Sequence, residues 1–138
     1  MSTFQQLGIR QDLIKGLKEL GIVNPTEIQE ETIPQLLATS TDFIGLAPTG
    51  TGKTAAYGLP ILQDIEIENQ VIQALILAPT RELAQQIKKQ LFKFTKYVDG
   101  KIFTEEVYGG EKIQIQINNL KRPTHIVVAT PGRLLDLI

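Results

Sequence analysis

Ala47-Pro48-Thr49-Gly50-Thr51-Gly52-Lys53-Thr54 stands between a short β-type run, Asp42 to Leu46, and a helix-type stretch, Lys53 to Ile65. A strand feeding a glycine loop that opens a helix is half of a βα unit, so this context sets the fold class as α/β. Gly50 and Gly52 let the backbone adopt positive φ and turn consecutive N–H groups toward a polyphosphate at the helix N-terminus. Lys53 is suited to neutralise β- and γ-phosphates, and the Thr54 hydroxyl to ligate Mg²⁺. Thr49, Gly50, Thr51, Gly52, Lys53 and Thr54 are therefore candidate cofactor-binding residues, with Lys53 and Thr54 the candidate catalytic pair and Thr54 the candidate metal ligand. The first glycine of the general G-x-x-x-x-G-K-[ST] pattern is replaced by Ala47. A chance glycine-rich turn is the competing explanation, and Gly-Lys-Thr in a strand-to-helix setting argues against it.

On either side of this loop, β-type runs alternate with helical stretches, the pattern of a parallel sheet covered by helices on both faces. The predicted strands are Asp42 to Leu46, Val71 to Leu77, Ile102 to Tyr108 and His125 to Ala129. The second and fourth are nearly continuous apolar runs, as in strands buried on both sides. The clearest predicted helix is Arg81 to Thr95, where Leu83, Ile87, Leu91 and Phe94 share one stripe and Lys89, Lys93 and Lys96 lie opposite. Two more helices, Gln11 to Leu20 and Thr26 to about Ala38, precede the first strand. Lys112 to Ile117 alternates strictly, which locally signals a strand, yet Ile113, Ile117 and Leu120 also fit a helical stripe. A helix is predicted there, because parallel strands on either side need a crossover.

The chain has 138 residues, 14 Lys plus Arg against 15 Asp plus Glu, no Cys and 42% apolar content, an ordinary globular composition suited to one domain. Lack of cysteine excludes a disulfide scaffold, a thiolate zinc site and a cysteine nucleophile, and fits a reducing compartment, so a cytoplasmic location is expected. No apolar run approaches the ~20 residues that span a bilayer, and Met1-Ser2-Thr3 opens no signal peptide, so no membrane role is expected. Charge is uneven. Residues 1–70 carry four cations and nine anions, a balance of −5; residues 71–138 carry ten cations and six anions, a balance of +4. The second half is the candidate polyanion face, its densest stretch running from Arg81 through Lys88, Lys89, Lys93 and Lys96 to Lys101. Taken alone, such a run is more simply a solvated helix face.

Three further segments bear on chemistry. Thr26 to Gln29 has the Thr-x-x-Gln spacing of a helix capping box, while a Gln amide can also pair bidentately with the edge of adenine. Phe4 could stack on a base, although an N-terminal Phe is commonly a core anchor. Pro79-Thr80-Arg81 and Thr130-Pro131-Gly132-Arg133 each follow an apolar strand and open a helix. Their bland explanation is good capping. The functional one places both helix N-termini on the sheet edge that carries the phosphate loop, each with an arginine, as two sites for a second polyanion. Gly109-Gly110 would add a point of close backbone approach on that edge.

Together these segments resemble the N-terminal RecA-like domain of DEAD-box ATP-dependent RNA helicases, over nearly the whole chain. Gly21 to Gln29 is similar to that family's Q motif, with Phe4 standing 17 residues before Gly21, which implies adenine contact by Phe4, Thr26 and Gln29. Ala47 to Thr54 looks like motif I, in which alanine is usual at the first position. Pro79 to Ala84 resembles motif Ia, Gly109-Gly110 the glycine doublet, and Thr130 to Arg133 motif Ib. The resemblance implies that Pro79, Thr80, Arg81, Gly109, Gly110, Thr130, Pro131, Gly132 and Arg133 contact the RNA backbone without reading sequence, and that ATP and Mg²⁺ are the cofactors. The family's Asp-Glu-Ala-Asp motif, its Ser-Ala-Thr motif and its second RecA-like domain do not occur within residues 1–138. Residues 1–138 are therefore expected to be an incomplete first domain that does not hydrolyse ATP alone, with uncovered apolar sheet surface and unpaired edges. Another P-loop enzyme, such as a DNA translocase or a kinase, and a self-sufficient adenine-nucleotide-binding module are the alternatives. His125, at the start of a strand, is expected to be structural rather than a base.

Overall fold

The computed structural model describes residues 2–39 and 42–138; Met1, Ser40 and Thr41 lie outside it. The chain divides into two compact units. Residues to Asp64 together with Lys93–Asp99 form the first, and Ile65–Phe92 together with Gly100–Ile138 form the second.

The first unit is helical: α1 (Gln11–Glu19), α2 (Glu27–Ala38) and α3 (Lys53–Asp64). Leu13 and Leu17 of α1, Ile33 of α2, and Leu59 and Leu62 of α3 are buried with Phe4 and Ile9. Each such side chain removed from water contributes roughly 1.5–3 kcal/mol before entropy is charged against it. Gln63 anchors the N-terminal turn to α3, its Oε1 accepting from the Arg10 N–H at 2.9 Å and its Nε2 donating to the Gly8 carbonyl at 2.8 Å. In the 93–99 segment, Lys96 pairs with Glu19 at 2.7 Å and lies near the Tyr97 ring. Lys96 of the basic run is thus engaged in a solvated ion pair.

The second unit carries a parallel sheet of β1 (Ala74–Leu77), β2 (Thr104–Val107) and β3 (Ile126–Ala129), in the order β1-β3-β2. Ala74 and Thr104 both stand beside Ile126, and Leu77 and Val107 both beside Ala129. Helices α4 (Arg81–Phe94), α5 (Ile113–Leu120) and α6 (Pro131–Leu137) follow the strands in turn. All of β3 is buried, which is why it reads as an unbroken apolar run. One face of the sheet packs Val107, Val127 and Ala129 against Leu120, Leu134 and Leu137. On β1, by contrast, only Ile76 is buried, and Leu75 and Leu77 are about half exposed.

Three expectations are corrected. Asp42 to Leu46 is not a strand: no described strand lies beside it, and Ile44 and Leu46 are 89% and 91% exposed. Side-chain pattern can favour an extended run, but ladder bonds need a neighbour. The first sheet strand starts at Ala74 rather than Val71, leaving Val71 and Ile72 exposed. In α4 the buried stripe is Ala84, Ile87, Leu91 and Phe94, with Leu83 at its margin. The ambiguous 112–117 segment is a helix, as the crossover requires; its most buried position is not an isoleucine but Gln116.

Glu105 and Glu106 point to opposite sides of β2, as strand alternation dictates. Glu105 lies 3.9 Å from Arg122. Partial burial raises the Glu106 pKa above the ordinary carboxylate value, only partly offset by Lys88, and its Oε2 has no hydrogen-bond partner. A carboxyl raised in the folded state contributes stability that is full below the unfolded value and lost as pH rises through the raised one. Glu106→Gln is therefore expected to raise the urea midpoint at pH 7 and to change it little at pH 4. An equal shift at both pH values would contradict this account.

Candidate phosphate-binding sites

In the first unit the glycine loop is held in shape by its neighbours. Gly50 and Gly52 have φ of +82° and +83°, the left-handed region that the loop chemistry calls for. The Thr51 hydroxyl donates to the Pro48 carbonyl at 2.7 Å, closing the turn. Gln29, 2% exposed on the first turn of α2, clamps the loop from outside. Its Oε1 accepts from the Thr26 N–H at 2.9 Å and its Nε2 donates to the Gly52 carbonyl at 3.0 Å. A Cβ on Gly52 would collide with that carboxamide. Capping and clamping thus share one side chain, and the Thr26 hydroxyl is buried without a hydrogen-bond partner. Lys53 is exposed at the start of α3, and Thr54 is half-buried beside it. The half-buried Tyr57 phenol has its pKa raised by burial, with the nearby Thr54 hydroxyl opposing the shift; sequence reasoning missed it. Its i,i+3 spacing from Thr54 was the available signal.

Phe4 is placed differently from the stacking expectation. Its ring is 2% exposed, within the core of the first unit, so its burial supports the anchor role.

In the second unit three loops meet at the C-terminal ends of the strands. Pro79, Thr80 and Arg81 are exposed after β1, Gly109 and Gly110 after β2, and Pro131 and Gly132 after β3. Thr80 caps α4, its Oγ1 accepting from the Leu83 N–H at 3.2 Å. Arg81 lies over the Tyr108 ring, 5.3 Å from its centroid, and Gln85 donates to the Tyr108 hydroxyl at 3.2 Å. A Cβ on Gly110, whose φ is +93°, would stand 3.1 Å from the Arg81 guanidinium. Arg81 thus lies close to the glycine doublet. Arg133 differs from expectation: its side chain is 13% exposed and turned inward, Nη1 donating to the Glu111 carbonyl and to Gln116 Oε1, each at 2.9 Å. A guanidinium so committed offers little to solvent. Gln116 and Tyr108, which the sequence did not single out, organise this edge; Gln114, Asn118 and Asn119 share the same helix, so nothing in the sequence marked Gln116 as its buried polar position.

His125 is fully buried. Its Nδ1 accepts from the Phe103 N–H at 3.0 Å, which leaves the ring proton on Nε2 to donate to the Ile67 carbonyl at 3.0 Å. It is structural, as expected.

A glycine loop with Lys53 and Thr54 in one unit, and exposed loops at the strand ends of the other, match a known group over most of the chain: a model of the DEAD/DEAH box helicase family covers residues 26–138. The chain belongs to that family. Among DEAD-box relatives, it is 44% identical across its whole length to the DEAD-box ATP-dependent RNA helicase CshA of Geobacillus kaustophilus, of which it spans 29%. It is 51% identical over 98% of its length to the protein of that name from Streptococcus pneumoniae, of which it spans 25%. Among solved structures, a DEAD box protein from the hyperthermophile Methanococcus jannaschii superposes with a TM-score of 0.89 at 35% identity, covering 97% of this chain and 36% of that one. S. cerevisiae Dbp5 bound to RNA and ADP BeF3 superposes with a TM-score of 0.85 at 34% identity, covering 99% and 34%. The fold of this DEAD-box chain is thus the α/β, RecA-like one. No helix among the described residues is long and apolar enough to cross a membrane.

Proposed function

We propose that residues 1–138 are the N-terminal part of the first RecA-like domain of an ATP-dependent RNA helicase, acting in the cytoplasm. The observation that carries this reading is the Gln29 carboxamide. One acceptor position and one N–H are spent on Thr26 and Gly52, leaving one lone pair and one N–H, the set that an adenine edge requires. Lys53 takes the β- and γ-phosphates of ATP, with the backbone from Thr49 to Gly52 around them. Thr54 would help to hold Mg²⁺ through its hydroxyl oxygen. Bound Mg²⁺ supplies neutralisation of phosphate charge.

On the strand-end loops, Arg81, Thr80 and Pro79, the Gly109-Gly110 backbone, and Thr130, Pro131 and Gly132 contact RNA sugar-phosphate, independently of sequence. Arg133 serves that edge from within. In the whole protein, a second RecA-like domain would close over nucleotide and RNA, coupling ATP binding and hydrolysis to local duplex unwinding or ribonucleoprotein remodelling.

Titration of a fluorescent ADP analogue tests the nucleotide half. Binding competed by ADP and not by GDP is expected, weakened roughly hundredfold in Lys53→Ala and about tenfold in Gln29→Ala. Phosphate release by the 138-residue chain should not exceed that of its Lys53→Ala variant. For RNA, Arg81→Ala should weaken binding and lower the salt slope by about one phosphate contact. Equal competition by GDP, or RNA binding indifferent to Arg81, would count against the reading.

A further inference from the structure

Gln116 is 1% exposed and makes no contact with solvent or with any catalytic group, yet it joins the two backbone-binding loops of the second unit. Its Nε2 donates to the Tyr108 carbonyl at 2.9 Å, one residue before Gly109-Gly110, and lies 3.5 Å from a Glu111 carboxylate oxygen beyond them. Its Oε1 accepts from Arg133 Nη1, which also donates to the Glu111 carbonyl. The glycine doublet is thus gripped on both sides, at Tyr108 and Glu111, by one carboxamide and one guanidinium. Arg133 in turn lies 3.6 Å from Asp136 on α6.

We infer that Gln116 is a positioning residue for polyanion binding: its carboxamide, acting with Arg133, sets the Gly109-Gly110 backbone at a fixed spacing from the 130–133 loop. This rests on the RNA-binding reading above and deepens it. A glycine pair has no side chains of its own to hold its N–H groups in place, and Gly110 is already in the left-handed region. An extended sugar-phosphate chain presents phosphates at a regular repeat, so two neutral contact points serve it only when their separation is held. A buried carboxamide using both its ends is suited to hold it, because either lost bond strands a buried polar group. Its contribution differs from that of Arg81, an exposed cation that neutralises charge directly.

That difference gives the test. Gln116→Met keeps the shape and removes both hydrogen bonds; Gln116→Glu keeps the acceptor for Arg133 and places an oxygen against the Tyr108 carbonyl. Binding of a 5′-labelled oligouridine to the chain is followed by anisotropy across a salt series, with ADP-analogue affinity and thermal midpoint measured on the same samples. Both variants are expected to weaken RNA binding about tenfold, and in Gln116→Met, which adds no charge, the slope of log affinity against log salt stays that of the unaltered chain, because no ion pair is lost. Nucleotide affinity should stay within about twofold. Unchanged RNA binding in a folded variant overturns the inference and leaves the RNA reading standing. Parallel loss of RNA binding, nucleotide binding and thermal midpoint in both variants assigns Gln116 a purely structural role and equally overturns it. An unaltered chain that binds no RNA defeats the reading beneath it as well.

Discussion

Gly52→Ala should abolish most nucleotide binding while leaving the helical content of the chain unchanged. At φ of +83° an alanine costs roughly 1–2 kcal/mol, and its Cβ would displace the Gln29 carboxamide from the Gly52 carbonyl, about 1 kcal/mol more. The sum, about 2–3 kcal/mol, converts to a roughly hundredfold loss of affinity if the loop must return to its present shape to bind. Gly50→Ala shares the positive φ but meets no atom within 4 Å, so its loss should be smaller, about tenfold. The pair separates backbone strain from the Gln29 contact. Equal losses in the two variants, by titration of the same ADP analogue, would show that Gln29 does not clamp the loop.

The second large effect is on stability. His125→Ala removes a fully buried ring and leaves the Phe103 N–H and the Ile67 carbonyl without partners at the N-terminal end of β3. Each stranded group costs about 1–3 kcal/mol, and the vacated space adds a cavity term, so a loss of about 3–5 kcal/mol is expected. That is a large share of the ~5–15 kcal/mol that holds a typical domain together. Chemical denaturation should show the midpoint falling steeply or no folded baseline at all. A change within about 1 kcal/mol would mean that the segments carrying Phe103 and Ile67 hold their places without the ring.

The contrast between those two residues explains what could be seen in the amino-acid string. The phosphate loop is local: Gly50, Gly52, Lys53 and Thr54 act through their own backbone and side chains, so adjacency in sequence is adjacency in space. The buried strands were legible for a related reason, because Ile126 to Ala129 is covered on both faces and shows it as an unbroken apolar run. Asp42 to Leu46 has a similar composition and is not a strand, since composition reports what side chains prefer and not whether a neighbouring backbone exists to bond with. The Arg133 and Gln116 contacts escaped notice because the two join each other across 17 residues and otherwise bond to the Glu111 and Tyr108 carbonyls, and backbone carbonyls carry no residue identity. Phe4 shows the opposite limit: a motif position can name a residue without saying whether its ring faces a ligand or a core.

The strand order also constrains how the second unit can be made by a ribosome. Among the described residues β1 and β2 do not pair with each other; each pairs with β3, the last of the three to be synthesised. From Leu77 to Ala129 the nascent chain grows by about 50 residues, several seconds at roughly 5–20 residues per second, with β1 unable to pair. Over that interval Leu75, Ile76 and Leu77 form an unsatisfied apolar edge, the kind of surface that chaperones bind and that neighbouring chains on a polysome can capture. Translation speed across residues 78–129 should therefore influence the yield of soluble protein more than its final stability.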